Sequence, residues 1–187
     1  MILNKLKEAT SQLHTEIEKN NLADLIISNA ISLDQYKLLL LQNYTAYAII
    51  ETSIAQKLSD YTGNKHSRIK QDLDNLKVNT EVNGSWKNDF ILKNKAEAYG
   101  AAYVVEGSAL GGLLISKQIK NCPALEGISH HYFFDGNRDH VKSWNSFCKK
   151  LKEEEFTPLE EVQAIDKAKE TFVFFGDIFK NLDEKFI

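Results

Sequence analysis

Glycine and proline are scarce, nine and two among 187 residues, about half of the ~12% usual in proteins. Too few turn formers remain for a sandwich or barrel, so long helices joined by few loops are expected. The two cysteines, Cys122 and Cys148, have neither a metal-ligand spacing nor a disulfide framework, and a reduced, cytoplasmic setting is their plain reading. No sign of charge dominates, because 23 Lys and Arg face 26 Asp and Glu for a net charge of −3. Without a basic stripe, neither nucleic acid nor an anionic membrane is an expected partner. No apolar run approaches the ~18 residues that span a bilayer. The start, Met1 to Glu8, carries charges every few residues instead of a signal-peptide core, so neither export nor membrane insertion is expected.

What is present is helical periodicity almost everywhere. Ile2, Leu6, Ala9, Leu13 and Ile17 recur at steps of three and four, and a short helix over Ala23 to Ser28 follows. Ser32-Leu33-Asp34-Gln35 reads as a capping box opening a long helix with Tyr36, Leu40, Tyr44, Tyr47, Ile50, Ile54 and Leu58, predicted to end near Tyr61 to Asn64. Further amphipathic helices are predicted over Ser67 to Val78, over Lys95 to Lys120, around Val141, Trp144, Phe147 and Leu151, and from Thr157-Pro158-Leu159-Glu160 onward. That last helix carries an apolar stripe of Val162, Ile165, Phe172, Phe175, Phe179 and Leu182. Asn79 to Ser85 and His130 to Gly136 read as connectors. With no internal repeat or low-complexity linker, residues 1 to 187 are expected to form one all-α domain, a helical bundle.

Common helical-bundle chemistries do not fit. A di-iron carboxylate site wants Glu three residues before His, whereas Ser11, Gly63, Gly127, Ile128 and Asn137 precede the five histidines at that spacing. No His-Glu-x-x-His zinc motif and no dinucleotide fingerprint occurs, and Gly107-Ser108-Ala109-Leu110-Gly111 is one residue too long for a nucleophile elbow. Two oddities remain. Gly100, Gly107, Gly111 and Gly112 all fall within one predicted helix, at a cost of about 1 kcal/mol each relative to alanine in a helix interior. Close helix packing through a small face would account for them, and so would bare backbone opening toward a flat ligand. The other is His14 on the first helix, an ordinary surface or core histidine unless it is a ligand, with Lys7 two turns before it.

Here the sequence resembles the heme oxygenase family. Leu6-Lys7-Glu8-Ala9-Thr10-Ser11-Gln12-Leu13-His14-Thr15 is similar to the family's proximal-helix motif. Tyr103-Val104-Val105-Glu106-Gly107-Ser108-Ala109-Leu110-Gly111-Gly112 is similar to its glycine-rich distal helix in bacterial form. Phe156-Thr157-Pro158 through Ala168-Lys169 to Phe172 and Phe179 also fits, so the similarity runs from Leu6 to about Leu182. The resemblance implies a bundle that sandwiches heme b between a proximal and a kinked distal helix. His14 would be the axial iron ligand, and Gly107, Gly111 and Gly112 would supply distal backbone. Lys7 and Lys150 would pair with the propionates, and Phe172 and Phe179 would line the pocket. Ser108 stands where animal members carry an aspartate, and a hydroxyl can anchor a water without supplying a carboxylate's charge.

The implied reaction uses heme as cofactor and substrate and O2 as co-substrate, and yields biliverdin, carbon monoxide and ferrous iron. No flavin or nicotinamide motif occurs, so electrons would come from an external ferredoxin, flavodoxin or reductase. A catalytically inactive heme-binding or heme-delivery protein of the same fold is the alternative, and a relative handling another ligand is a third. A monomer is expected.

Overall fold

The computed structural model describes residues 1–187 except 20, 82–85, 87, 184, 186 and 187. Among the described residues eight α-helices follow one another: α1 (Ile2–Lys19), α2 (Ala23–Ile27), α3 (Leu33–Ala55), α4 (Lys65–Asn75), α5 (Lys95–Gly107), α6 (Ala109–Gln118), α7 (Asp139–Glu153) and α8 (Pro158–Asn181). Two 3-10 turns, Ile119–Asn121 and Pro123–Leu125, follow α6, and no strand occurs among the described residues. Gly84 and Ser85 of the expected connector lie outside the described residues.

Helix α8 is the spine, packing on α5, α1 and α3, while α3 also holds α4 and α5. Its start is the one its sequence requires: the Thr157 hydroxyl accepts from Glu160 N, the Glu160 carboxylate accepts from Thr157 N, and Pro158 occupies the first turn. At its other end the buried Gln42 amide on α3 donates to the Phe179 and Leu182 carbonyls at 3.0 and 2.8 Å, satisfying groups that a helix end leaves open. The capping box at Ser32 and Gln35 also forms, with both reciprocal bonds present. Between these helices Leu6, Tyr36, Leu40, Ile50, Ile54 and Tyr99 lie in one core, each aliphatic side chain contributing about 1.5–3 kcal/mol of burial.

The expected elements need four adjustments. On α1 the fully buried positions are Ile2, Leu6 and Thr10, with Ala9, Leu13 and Ile17 only half-buried. Helix α3 stops at Ala55, well before Tyr61. The chain then folds back so that the Tyr61 ring covers Gly63, where a Cβ would stand 2.2 Å from the Tyr61 hydroxyl oxygen. Val162, expected in the α8 stripe, is exposed. The segment Lys95–Asn121, with a mean hydropathy of 1.3 over its most apolar window, is long and apolar enough by composition to cross a membrane, unlike the expectation above.

That segment is two helices. The break falls at Ser108, whose hydroxyl donates to the Val105 carbonyl at 2.8 Å and so occupies an acceptor at the end of α5. A serine bonded back into the preceding turn, directly after a glycine, is a recognised cause of a sharp helix bend.

Candidate functional site

Of the glycines in this segment, Gly100 is a packing residue. A Cβ there would stand 2.0 Å from the Ala164 carbonyl oxygen, so the α5 and α8 backbones touch through it. The others differ. Gly107 meets only the Trp144 ring, 3.7 Å from its notional Cβ, and Gly111 and Gly112 have nothing within 4 Å. Their missing side chains leave a strip of bare backbone beside open space, which a flat ligand could approach closely.

His14 lies on α1 with its side chain 55% exposed. The Phe172 ring from α8 meets the imidazole edge to face, with centroids 5.8 Å apart. Its Nδ1 lies 3.4 Å from Glu18 Oε2, one turn along the same helix. A carboxylate on Nδ1 fixes the tautomer and ring orientation and leaves Nε2 as the coordinating atom, the usual support for a metal-binding histidine. Sequence reading did not single out Glu18, though its i, i+4 spacing from His14 is a legible signal.

The remaining histidines are engaged elsewhere. His66 Nδ1 is 2.5 Å from Glu51 Oε2, His131 Nδ1 is 2.8 Å from the Tyr36 hydroxyl, His140 Nε2 lies between Arg68 and Asp135, and His130 Nδ1 is 3.1 Å from the Ser129 hydroxyl. Burial pushes the His131 imidazole below its ordinary value, favouring the neutral ring.

Lys7 is exposed on α1 and forms no ion pair among the described residues. Lys150, expected as a second propionate-binding cation, stands on α7. It pairs with Asp60 after α3 and stands over the Tyr99 ring at 5.8 Å. Phe179 packs on Phe175 at 5.9 Å, and Phe175 in turn meets Tyr47 at 5.1 Å. Tyr47 is buried on α3, and that burial raises its phenol well above the ordinary range. Tyr103, one turn before Gly107, packs on the Trp144 ring of α7, with centroids 5.7 Å apart.

These residues fit a heme. They offer an exposed imidazole held by a carboxylate, an aromatic ring against it, and a helix that would lose its close approach if side chains filled Gly111 and Gly112. Comparison with solved structures gives the same fold. Over 97% of this chain and 92% of the other, the nitric oxide- and carbon monoxide-bound heme oxygenase from Neisseria meningitidis superposes with a TM-score of 0.72 at 20% identity. Heme oxygenase-1 from the cyanobacterium Synechocystis, in complex with heme, gives a TM-score of 0.70 at 16% identity over 99% and 93%. No curated protein matches the sequence. The sequence profile of the heme oxygenase family, however, matches residues 1–181, and the chain belongs to that family.

Proposed function

We propose that this protein is an active heme oxygenase that uses O2 and external electrons to open the heme ring, yielding biliverdin, carbon monoxide and ferrous iron. The observation that carries the reading is the exposed His14 imidazole, supported by Glu18 and Phe172, in a chain whose glycine helix has open space at Gly111 and Gly112. When bound, heme supplies the redox chemistry and is itself the substrate. The protein's part is ligation, orientation and a hydrogen-bond field.

His14 Nε2 would hold the iron, with Glu18, 3.4 Å from Nδ1, placed to accept from Nδ1–H and so to orient the ring and raise its basicity as a ligand. On the other side Gly107, Gly111 and Gly112 let backbone, rather than side chain, face the macrocycle. Lys7 pairs with a propionate at the exposed edge. Lys150 would supply the second cation, exchanging its exposed Asp60 partner for the other propionate. The Ser108 hydroxyl already donates to Val105, so its oxygen lone pairs are what it would offer to a distal water. Electrons come from a ferredoxin, flavodoxin or reductase, and the protein works as a cytoplasmic monomer.

One observation favours a second reading, a heme carrier without turnover: Ser108 puts a neutral hydroxyl where a carboxylate could organise proton-donating water. A hemin titration followed by reductant and oxygen separates the two. Loss of the heme band with a bilin product supports the oxygenase, a persistent histidine-ligated spectrum supports the carrier, and no binding sinks both. His14→Ala should abolish the axial-histidine spectrum, whereas alanine at His66, His130, His131 or His140 should leave it. Loss of ligation in one of those four would place the ligand elsewhere.

A further inference from the structure

One helical glycine serves neither the contact of α5 with α8 nor the bend after α5. Gly176 lies well inside α8, where glycine costs helix stability relative to alanine. The fold does not require it there. Its φ is not left-handed, and a Cβ at this position would meet nothing within 4 Å. Gly100 lets two backbones touch, whereas Gly176 leaves space.

That space adjoins the candidate site. Gly176 follows Phe172 by four residues and precedes Phe179 by three, so the three share one side of α8 within an arc of about 60°. Val173, Asp177 and Lys180 carry the solvent side. Phe172 is buried, and its ring is the one that meets His14 edge to face. Phe179 packs on Phe175. Gly176 is half-buried, about 6 Å along the axis beyond the contact of Phe172 with His14.

The packing of α1 on α8 fixes which way this recess lies. Lys5 pairs with Glu161 in the first turn of α8 at 2.5 Å, and further along both helices His14 meets Phe172, so α1 and α8 run parallel. Lys7, between Lys5 and His14, therefore stands toward the start of α8. Lys150 marks the same end, because it lies over the Tyr99 ring, which packs on Phe156 just before the Thr157 cap. Gly176 is on the other side of His14. There Ile17, the next apolar residue of α1, is packed against the core, as is Phe179 of α8. Cations thus stand at one end of the cleft and bare backbone among apolar side chains at the other.

Heme b has the same polarity, with both propionates on one edge and both vinyl groups on the opposite half of the ring. Propionates directed to Lys7 and Lys150 would leave the vinyl-bearing half toward Gly176. Resting on the heme oxygenase reading, we propose that Gly176 is a specificity-determining residue, whose missing side chain makes the recess for the vinyl-bearing edge of the porphyrin. A recess of this kind selects porphyrins by the size of the groups opposite the propionates, and burying apolar groups in it adds affinity.

The test titrates wild type, Gly176→Leu and Gly176→Ala with hemin and with deuterohemin, which has hydrogens in place of both vinyl groups, and reads the Soret band of the ferric complex without turnover. Wild type should bind hemin about tenfold more tightly than deuterohemin, because hemin buries two more apolar groups. Gly176→Leu should lose about a hundredfold in hemin affinity and less than about threefold in deuterohemin affinity, so that the preference reverses. Gly176→Ala should move the ratio the same way by about threefold. Equal losses for the two porphyrins overturn the recess, since a damaged fold or a blocked entrance does not distinguish them. Unchanged hemin affinity in Gly176→Leu also overturns it, by placing residue 176 on the outer surface. Should Gly176→Leu fail to fold, the ratio in Gly176→Ala decides alone. If wild type binds hemin but forms no bilin with reductant and oxygen, the oxygenase reading fails and the affinity ratios still decide the recess; if it binds neither porphyrin, both are overturned.

Discussion

Helices α5 and α6 are consecutive pieces of one apolar stretch, yet they are used in opposite ways. Ten of the residues of α5 are buried, Ala96 to Ala102 and Val104 to Glu106, whereas α6 buries only Ala109 and Ser116. Leu110 and Leu114 are each about half exposed. Both pieces contain glycine. In α5 Gly100 removes a side chain that would strike α8, while in α6 Gly111 and Gly112 remove side chains that would strike nothing. The same residue type thus serves packing on one side of Ser108 and access on the other, so a glycine count cannot tell a ligand site from a helix contact. The atoms opposite the missing Cβ can.

The sharpest way to break this comparison is to add a methyl at each place. Gly100→Ala should destabilise by about 3 kcal/mol despite its better helix propensity, because the new Cβ would overlap the Ala164 carbonyl and neither backbone can yield cheaply. Urea unfolding measures it, and a stability equal to wild type would mean that α5 and α8 are not in contact through Gly100. Gly111→Leu should have the opposite profile. With open space around it the fold should hold or gain slightly from propensity, while hemin affinity falls by about a hundredfold as the side chain fills the approach to the backbone. Unchanged affinity in a hemin titration would assign Gly111 to outer surface and leave the cleft elsewhere.

Most of the helical frame was legible, because its signals are local. The capping boxes at Ser32 and Thr157 formed from residues three apart, and the stripes of α7 and α8 follow a period the chain cannot hide. The kink had a local signal too, the Gly107-Ser108 pair, although the periodicity runs straight through it. The resemblance carried the site assignments; the structure sets His14 against Phe172, leaves Gly111 and Gly112 beside open space, and pairs Lys150 with Asp60. That pairing joins α7 to the loop after α3, and no spacing within either segment reveals it. The contacts of Glu106 with Lys65 and Tyr61 escaped notice for the same reason, since Glu106 on α5 lies 41 and 45 residues from those partners at the start of α4 and in the turn before it.

A subtler effect concerns how the exposed half, α6, is braced. Asp72 on α4 accepts from the Tyr132 and Phe133 amides, both at 2.8 Å, and so holds the loop over residues 129–137. That loop reaches α6 at Gly136, whose left-handed φ of +71° suits glycine and whose notional Cβ would stand 2.8 Å from the Ser116 hydroxyl. Burial pushes the Asp72 carboxyl up from 3.8 to about 6, against the two amides and the Arg68 charge, which pull it down. Between those two values the folded protein holds the Asp72 proton and the unfolded chain has released it, so this group's contribution to stability falls as pH rises through the window. Asparagine cannot ionise. Relative to wild type, Asp72→Asn should therefore gain stability steadily from below pH 3.8 to above pH 6, superimposed on a constant loss from the weaker acceptor. Urea midpoints of the two proteins across that range read the difference directly. A flat difference would mean that Asp72 ionises in the fold at its ordinary value, and that the brace on α6 carries a full charge at every pH above it.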